Sequence, residues 1–204
     1  DSSWKYQSVG ADILLFCVYF TDENTGYTVG GNTVDFTGII MKTTDGGTTW
    51  NHLDFPETSY LSSVFFTSAD TGYAAGYMGT ILKTTNAGLS WTKSESYSGN
   101  HLRSVFFPDA QTGYIVADYG TFLKTIDGGA TWTVGSIGFN VSDIHFYGVY
   151  FTGADTGYAA GANGTVRKTT DGGVSWSSLS SGTDQFLYSV RFISESTGFI
   201  AGMS

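Results

Sequence analysis

The chain of 204 residues has little of several things that would assign it to a class at once. With one cysteine and two prolines, Cys17 cannot form an internal disulfide, and a proline-rich disordered chain is excluded. Only 13% of the residues are charged, and the net charge is −9. Nine lysines and arginines are too few for the basic surface of a nucleic-acid binder. No apolar run reaches the roughly 18 residues of a membrane-spanning helix, and no basic-then-apolar signal segment is visible.

What the chain does contain is a motif repeated five times, in a composition rich in glycine (28 residues) and aromatics (16%). The period of 41 to 46 residues is marked by the glycines of a Thr-Gly-Tyr/Phe element, Gly26, Gly72, Gly113, Gly157 and Gly198. Such a period, with several short strands per unit, is typical of a β-propeller blade. We predict one all-β domain, residues 1–204, built of four-stranded antiparallel blades at about 12–50, 59–92, 100–133, 144–177 and 185–204 together with 1–6.

The second repeat shows the predicted blade most clearly. Strand-like alternation covers residues 60–66, and residues 73–76 and 80–84 form two further strands. A tight turn follows, and the fourth strand is expected from Leu89. The turn residues recur in four copies as an aspartate or asparagine and a tryptophan five residues later: Asp45 and Trp50, Asn86 and Trp91, Asp127 and Trp132, Asp171 and Trp176. We interpret them as structural.

These turns resemble the Asp-box, or bacterial neuraminidase repeat, of sialidases and related propellers. The longer pattern, from Thr-Gly-Tyr-Ala-Ala-Gly through Lys-Thr-Thr-Asp-Gly-Gly-x-Ser-Trp, is most similar to the photosystem II assembly/stability factor family and its bacterial relatives. The resemblance covers nearly the whole chain. It implies a propeller fold and, as one alternative for function, an assembly factor for a membrane protein complex.

The fifth blade is predicted to be split between the termini. Trp4 precedes Val18 by 14 residues, the spacing that separates Trp50 from Val64, so residues 1–6 look like a fourth strand without its first three. Residues 187–202 supply a first and second strand, and the third is missing. We favour a five-bladed ring, while a segment of a longer propeller remains an open interpretation. An incomplete blade would also permit strand exchange, a homo-oligomer or a strand from a partner.

An enzyme is the less favoured hypothesis. The three arginines, Arg103, Arg167 and Arg191, occupy non-equivalent positions and are interpreted as solvated or at blade edges, and the repeated aspartates as architecture. The histidines His52, His101 and His145 lack metal-ligand spacing, although His101 and His145 could share one face. Cys17 falls in a column of small residues and is interpreted as a buried structural thiol. No catalytic residue, metal or cofactor is predicted.

Binding is expected where the repeats differ. Loops from fourth to first strands and from second to third strands emerge on the same side of a propeller, which we call the loop face. Its candidate binding residues are Phe36, Phe55, Tyr77, Tyr97, Asp118, Tyr119 and Phe139. Aromatics beside carboxylates suit a protein or carbohydrate partner. The sequence therefore favours a non-catalytic, secreted or exported scaffold that binds a protein or glycan, with a sialidase-like or glycoside-hydrolase-like enzyme as an alternative.

Overall fold

The computed structural model describes residues 6–7, 9–10, 12–56, 59–138 and 144–203. Its strands form five antiparallel sheets, each meandering outward from its first strand. The first sheet contains β1 (Ile13–Phe20), β2 (Gly26–Asn32), β3 (Gly38–Thr43) and β4 (Asn51–His52). The second contains β5 (Leu61–Phe66), β6 (Gly72–Gly76), β7 (Ile81–Thr84) and β8 (Thr92–Ser94). The third contains β9 (Leu102–Phe106), β10 (Gly113–Ala117), β11 (Thr121–Thr125) and β12 (Thr133–Ser136). The fourth contains β13 (Phe146–Phe151), β14 (Gly157–Gly161), β15 (Val166–Thr169) and β16 (Ser177–Leu179), and the fifth contains β17 (Leu187–Ser194) and β18 (Thr197–Gly202).

The prediction of a β-propeller with four-stranded antiparallel blades is confirmed. The sheets are numbered as blades 1 to 5 in chain order. One boundary was wrong, because the fourth strand of blade 2 begins at Thr92 and residues 89–91 precede it outside any strand. The fourth strand predicted around Trp4 lies outside the described residues. Within those residues, blade 5 consists of β17 and β18.

The core lies between neighbouring blades. Tyr27, Val29 and Ile40 of blade 1 pack against Val64 and Phe66 of blade 2. The same arrangement joins blades 2 and 3 and blades 3 and 4, and aromatic stacking extends it, with 4.0 Å between the ring centroids of Tyr27 and Phe66. Because the repeated valines and aromatics face a neighbour rather than water, burial of apolar area between blades stabilises the propeller.

The glycines that mark the period are required by close packing. A Cβ added at Gly72 would lie 2.5 Å from the ring of Phe66, the last residue of the preceding strand. At Gly113 it would lie 2.4 Å from the ring of Phe107. Real Cβ contacts do not come this close, so the position excludes every larger residue in each blade.

A lysine and a tyrosine on each of blades 1, 2 and 3 donate hydrogen bonds to the blade that follows. Lys83 Nζ and Tyr73 Oη donate to the same carbonyl oxygen, that of Gly128 in the next blade, at 2.7 Å and 2.7 Å. Lys42 and Tyr27 share the carbonyl of Ala87 in the same way. Burial raises the pKa of Tyr73 to about 12, which keeps its hydroxyl a donor at any ordinary pH. The repeated lysines therefore hold blades together.

The aspartate turns are closed hydrogen-bonded units. In the third blade, Asp127 Oδ1 accepts from the Thr125 hydroxyl at 2.7 Å and from the Thr131 amide at 2.9 Å, and Oδ2 accepts from the Thr131 hydroxyl. The bonds from Thr131 are the main reason that the pKa of Asp127 falls to about 2. Asp45 and Asp171 are held likewise, and Asn86 accepts from the Ser90 amide at 3.0 Å. These contacts agree with a structural role for the turns.

Candidate functional site at the channel mouth

Each first strand carries a β-bulge close to the loop face. Pairing with the second strand shifts register at equivalent places, for example between Leu61 and Ser63. A β-bulge leaves one residue unpaired and re-aims its side chain. The unpaired residues, which we call the bulge ring, are Phe16, Ser62, Arg103, Tyr147 and Tyr188. All five line a cavity at the centre of the propeller.

This central cavity has a volume of about 330 Å³ and is lined by the first strands of all five blades. Next to the bulge ring its wall is made of small residues, Cys17, Ser63, Ser104, Gly148 and Ser189. Cys17 was predicted to be buried, but it is half-buried in this wall, with Sγ 3.7 Å from the Val64 carbonyl oxygen. Small side chains leave the space open, so the bulge ring forms the mouth of a real void rather than the top of a packed core.

Further along the first strands, four aromatic residues and Arg191 occupy equivalent positions, and of these Tyr19, Phe65 and Arg191 line the cavity. The rings of Tyr19, Phe65, Phe106 and Tyr150 follow one another around the axis with centroid distances of 5.1, 5.3 and 4.7 Å. The Arg191 guanidinium carbon lies 5.8 Å from the Tyr150 centroid. Burial raises the pKa of Tyr19, and the charge of Arg191 opposes that rise, so the arginine acts electrostatically across to blade 1.

An ion pair occupies one side of the mouth. Arg103 Nε and Nη2 donate to the two carboxylate oxygens of Asp118 at 2.7 and 3.0 Å, and His145 Nδ1 lies 2.9 Å from Asp118 Oδ1. Burial alone would raise the pKa of Asp118, but the hydrogen bonds from Arg103 and His145 outweigh it and hold the pKa below its usual value. The guanidinium also lies 5.3 Å from the Tyr147 centroid. The interpretation of Arg103 as solvated or at a blade edge was therefore wrong.

A histidine and a tyrosine form the adjoining side of the mouth. The Tyr77 and His101 rings lie 3.7 Å apart, and His101 Nε2 is 2.5 Å from the Ser62 hydroxyl. Burial is the main reason that the pKa of His101 falls to about 4, and the nearby Arg103 lowers it further. His101 is thus neutral at neutral pH and presents a flat, uncharged surface beside the cavity.

Three loops between second and third strands end in turns with two central residues at positive φ. The turns span 77–80, 118–121 and 162–165, and each is closed by a hydrogen bond from its last amide to its first carbonyl oxygen. Their first central residues are Met78 (φ 52°), Tyr119 (φ 59°) and Asn163 (φ 54°), each followed by glycine. This turn type favours Asn-Gly. Asn163 conforms, while Met78 and Tyr119 place large side chains, 76% and 56% exposed, where the backbone disfavours them.

The predicted binding residues are not equivalent in the structure. Tyr77 and Tyr119 flank the mouth, and Tyr119 lies 5.0 Å from His145 by ring centroids. Phe36 and Tyr97 are exposed at loop tips, also at positive φ. Asp118 is buried in its ion pair, and Phe55 packs against the core between blades 1 and 2. Phe139 lies outside the described residues.

Sequence reasoning missed the bulge ring as a unit. The strand alternation assigned Arg103 and Tyr147 to no particular face, because a bulge breaks the two-residue period. The signal that could have found the ring is a mismatch between columns. The residue before the small column varies among the repeats, with Phe16, Ser62 and Arg103 in the first three and tyrosine at 147 and 188. A variable position between two regular columns indicates a role specific to each blade.

The channel mouth lacks the neighbouring carboxylates that some reactions and metal sites require. No aspartate or glutamate lines the cavity, and no cluster of three or more His, Cys, Asp or Glu suited to a metal occurs in the part of the chain that the structure describes. Arg167 bonds the Ser178 hydroxyl on the neighbouring strand of its own blade, and Arg103 is already paired. No helix in the described ranges has the length and apolarity to cross a membrane.

Comparison with solved structures supports the fold. YCF48 bound to D1 peptide superimposes with a TM-score of 0.53 at 17% identity, covering 94% of this chain and 91% of that one. An ancestral GH74 enzyme gives 0.67 at 20% identity, with 86% of this chain on 25% of the enzyme. The WD40 propeller domain of Doa1 gives 0.72 at 14% identity, with 95% and 63% covered. At these identities the likeness shows the fold alone.

Comparison of sequences is more specific. No curated protein sequence matches the chain significantly. The family model of photosynthesis system II assembly factor YCF48 matches residues 1–102 and again 97–184. These two matches span all four complete blades, including the bulges of Ser62, Arg103 and Tyr147. The chain belongs to the YCF48 family of photosynthesis system II assembly factors.

Proposed function

We propose that this protein is a non-catalytic propeller scaffold that binds a protein partner at the channel mouth of its loop face. The observation that carries the proposal is the exposed Met78 and Tyr119 at turn positions that favour asparagine. Backbone strain of this kind costs about 1–3 kcal/mol and persists where a side chain is needed. Large exposed side chains around a mouth with a paired arginine match the composition of protein-binding hot spots.

Family and neighbours favour a protein over a glycan as the partner. The family is one of assembly factors, and one solved YCF48 structure has a D1 peptide bound. An assembly role with a membrane protein client is thus the finer form of this proposal. A glycan partner has support only from exposed aromatics, and a glycosidase would need two facing carboxylates, which the cavity lining lacks.

A peptide library displayed on phage tests the proposal. Peptides selected on the wild-type protein should bind a Met78→Asn, Tyr119→Asn variant at least about tenfold more weakly, as expected for loss of hot-spot contacts. The matched control is Leu89→Ser, Val174→Ser, which changes two exposed apolar residues in the turns that begin at Asn86 and Asp171. Retained affinity in the loop-face variant, loss only in the control, or binding of glycans with no selectable peptide would contradict the proposal.

A further inference from the structure

Four aromatic side chains of blades 1 and 2 meet on the loop face, and we call them the aromatic cluster: Phe16, Phe36, Tyr60 and Tyr77. Tyr60 lies at the centre, with ring-centroid distances of 6.3 Å to Phe16, 6.2 Å to Phe36 and 5.7 Å to Tyr77. The three outer residues are 50%, 70% and 43% exposed, in the same order. The cluster therefore presents ring faces to solvent and is separate from the core between blades.

Backbone hydrogen bonds hold the cluster in place. The Tyr60 hydroxyl and the Phe36 amide both donate to the Asn32 carbonyl oxygen, at 2.8 and 3.0 Å. The Tyr77 amide donates to the Tyr60 carbonyl oxygen at 2.9 Å. The Tyr60 ring also packs so closely on Gly31 that a Cβ there would lie 2.1 Å from it. Because these rings are positioned before a ligand arrives, binding costs less conformational entropy.

Phe36 has a backbone conformation that a bulky residue rarely adopts. Its φ is 61°, in a loop between β2 and β3 that is longer than the equivalent loops of blades 2 and 3. Glycine or asparagine would take this conformation with less strain. Since the residue is mostly exposed, packing against the protein recovers little of that strain. Strain of this kind points to a role in binding.

The charges beside the cluster are negative. The described segments of blade 1 on this face lie before β1, between β2 and β3 and between β4 and β5, and they contain Asp12, Asp35 and Asp54, all exposed, but no lysine or arginine. The Thr37 hydroxyl and amide donate to Asp35 Oδ1 at 2.7 and 3.1 Å. These bonds hold the pKa of Asp35 below its usual value, so it is charged at neutral pH. With a net charge of −9, the whole chain attracts basic partners.

Exposed ring faces beside carboxylates favour a cationic side chain over other ligands. The face of an aromatic ring carries partial negative charge, and a cation above it is attracted electrostatically. An acidic side chain would be repelled by the aspartates. A sugar stacks best on a flat platform, whereas the ring planes of Tyr60 and Tyr77 cross at 85°. Arginine fits best, because its planar guanidinium stacks on a ring and still offers donors to carboxylates.

We propose that the aromatic cluster binds an arginine side chain from a basic segment of the protein partner, with the guanidinium against the exposed ring of Phe36 and its charge complemented by the adjacent Asp35. This inference rests on the proposed function, because it names the chemistry of the partner that reaches the loop face. It adds a contact on blades 1 and 2 to those that Met78 and Tyr119 make beside the channel mouth.

The probe is the peptide Gly-Arg-Gly-Arg-Gly, blocked at both ends, compared with the same peptide carrying citrulline, which keeps the shape of arginine without its charge. Titrations followed by NMR of backbone amides should show the arginine peptide binding at least about fivefold more tightly. In Phe36→Leu, which keeps an apolar side chain, this advantage should fall below about twofold. The matched control is Tyr97→Leu, another exposed aromatic residue at positive φ, and it should keep the full advantage.

A second variant tests the charge separately from the ring. Asp35→Asn keeps an oxygen that accepts from Thr37, so the loop should fold unchanged. It should weaken binding of the arginine peptide about twofold to threefold and leave the citrulline peptide unaffected. Equal affinity for the two peptides, or an advantage that survives in both variants, would overturn the inference. An advantage that Tyr97→Leu reduces as much as Phe36→Leu would show general attraction to an acidic protein, and would overturn it as well.

The selected phage peptides separate this inference from the proposed function. If they bind through Met78 and Tyr119 while the arginine and citrulline peptides bind alike, only the assignment of a basic partner fails. If the arginine advantage depends on Phe36 but no selected peptide depends on Met78 and Tyr119, the proposed function fails and the arginine site stands.

Discussion

Blades 2 and 3 have a neighbour on both sides, and comparison with the first and last sheets shows what a neighbour contributes. Val64 and Phe66 in blade 2 are 2% and 3% exposed, whereas the equivalent Val18 and Phe20 in blade 1 are 58% and 42% exposed. The residue types are the same in both blades. Their burial is therefore a property of the pair of blades, as expected for repeats that contact only adjacent units.

The same difference appears in the polar links. Lys83 and Tyr73 reach the Gly128 carbonyl in the next blade. Lys168 and Tyr158 in blade 4 have the same stacked arrangement, with 5.5 Å between Nζ and the ring centroid, but donate to no carbonyl of the described residues. Blade 5 has no described third or fourth strand to supply one. The repeated sequence thus supplies the donors of each link, and the next blade supplies the carbonyl oxygen that accepts.

The largest expected effect is the loss of a buried aromatic ring between blades. Phe66→Ala removes stacking on Tyr27 and an edge contact with Trp91, and should lower the free energy of unfolding by about 3–5 kcal/mol. Phe20→Ala is the matched control, since its ring keeps only the edge contact with Trp50, and should cost about 1–2 kcal/mol. Urea unfolding followed by tryptophan fluorescence measures both. Equal losses would mean that blade 1 is covered as completely as blade 2.

The lysine links should show a smaller difference. Lys83→Met keeps most of the apolar stem and removes the charged donor to Gly128, which should cost about 1.5–3 kcal/mol. Lys168→Met should change the free energy of unfolding by less than about 0.5 kcal/mol, because Lys168 donates to no carbonyl oxygen of the described residues. Chemical denaturation of the two variants beside the wild type measures this. A substantial loss in Lys168→Met would show that this lysine has a partner in solution.

Lowering the pH should weaken the turns that contain an aspartate and should not affect the turn that contains Asn86. The pKa of Asp127 is about 2 in the folded protein and about 3.9 in an unfolded chain. Its contribution is therefore complete above about pH 4 and is lost as the pH falls towards 2, because the unfolded state takes up the proton first. Asp45 and Asp171 follow the same course, and Asn86 does not titrate.

Thermal melts between pH 4 and pH 2 test this expectation. The Tm of the wild type should fall over that range, and that of Asp127→Asn should fall less, since the variant copies the turn of blade 2. The melting temperatures of the two proteins should differ most at pH 4 and converge at pH 2. Parallel curves for the two proteins would show that the Asp127 turn does not contribute to the acid response.

The repeat could be predicted from sequence because its strands, glycines and turns depend on local chemistry and on packing that recurs. Gly72 and Asp127 have the roles that their types suggest. The mouth could not be predicted in the same way. Arg103 meets Asp118 across 15 positions, and Asp118 in turn contacts His145 of the next blade. The bulge that turns Arg103 inward leaves no period to detect. Single residues that occur once per ring are set by tertiary contacts.

The smallest expected effect compares the turns of blades 3 and 4. Tyr119→Asn gives the third blade the Asn-Gly pair that blade 4 already has at Asn163, where a positive φ is tolerated. Because Tyr119 is mostly exposed, little packing is lost, and the free energy of unfolding should rise by about 0.5–1 kcal/mol. The reverse change, Asn163→Tyr, should lower it by a similar amount, and denaturant titration resolves both. A destabilised Tyr119→Asn would mean that contact with His145 outweighs the backbone strain, and that the tyrosine is held for stability rather than for binding.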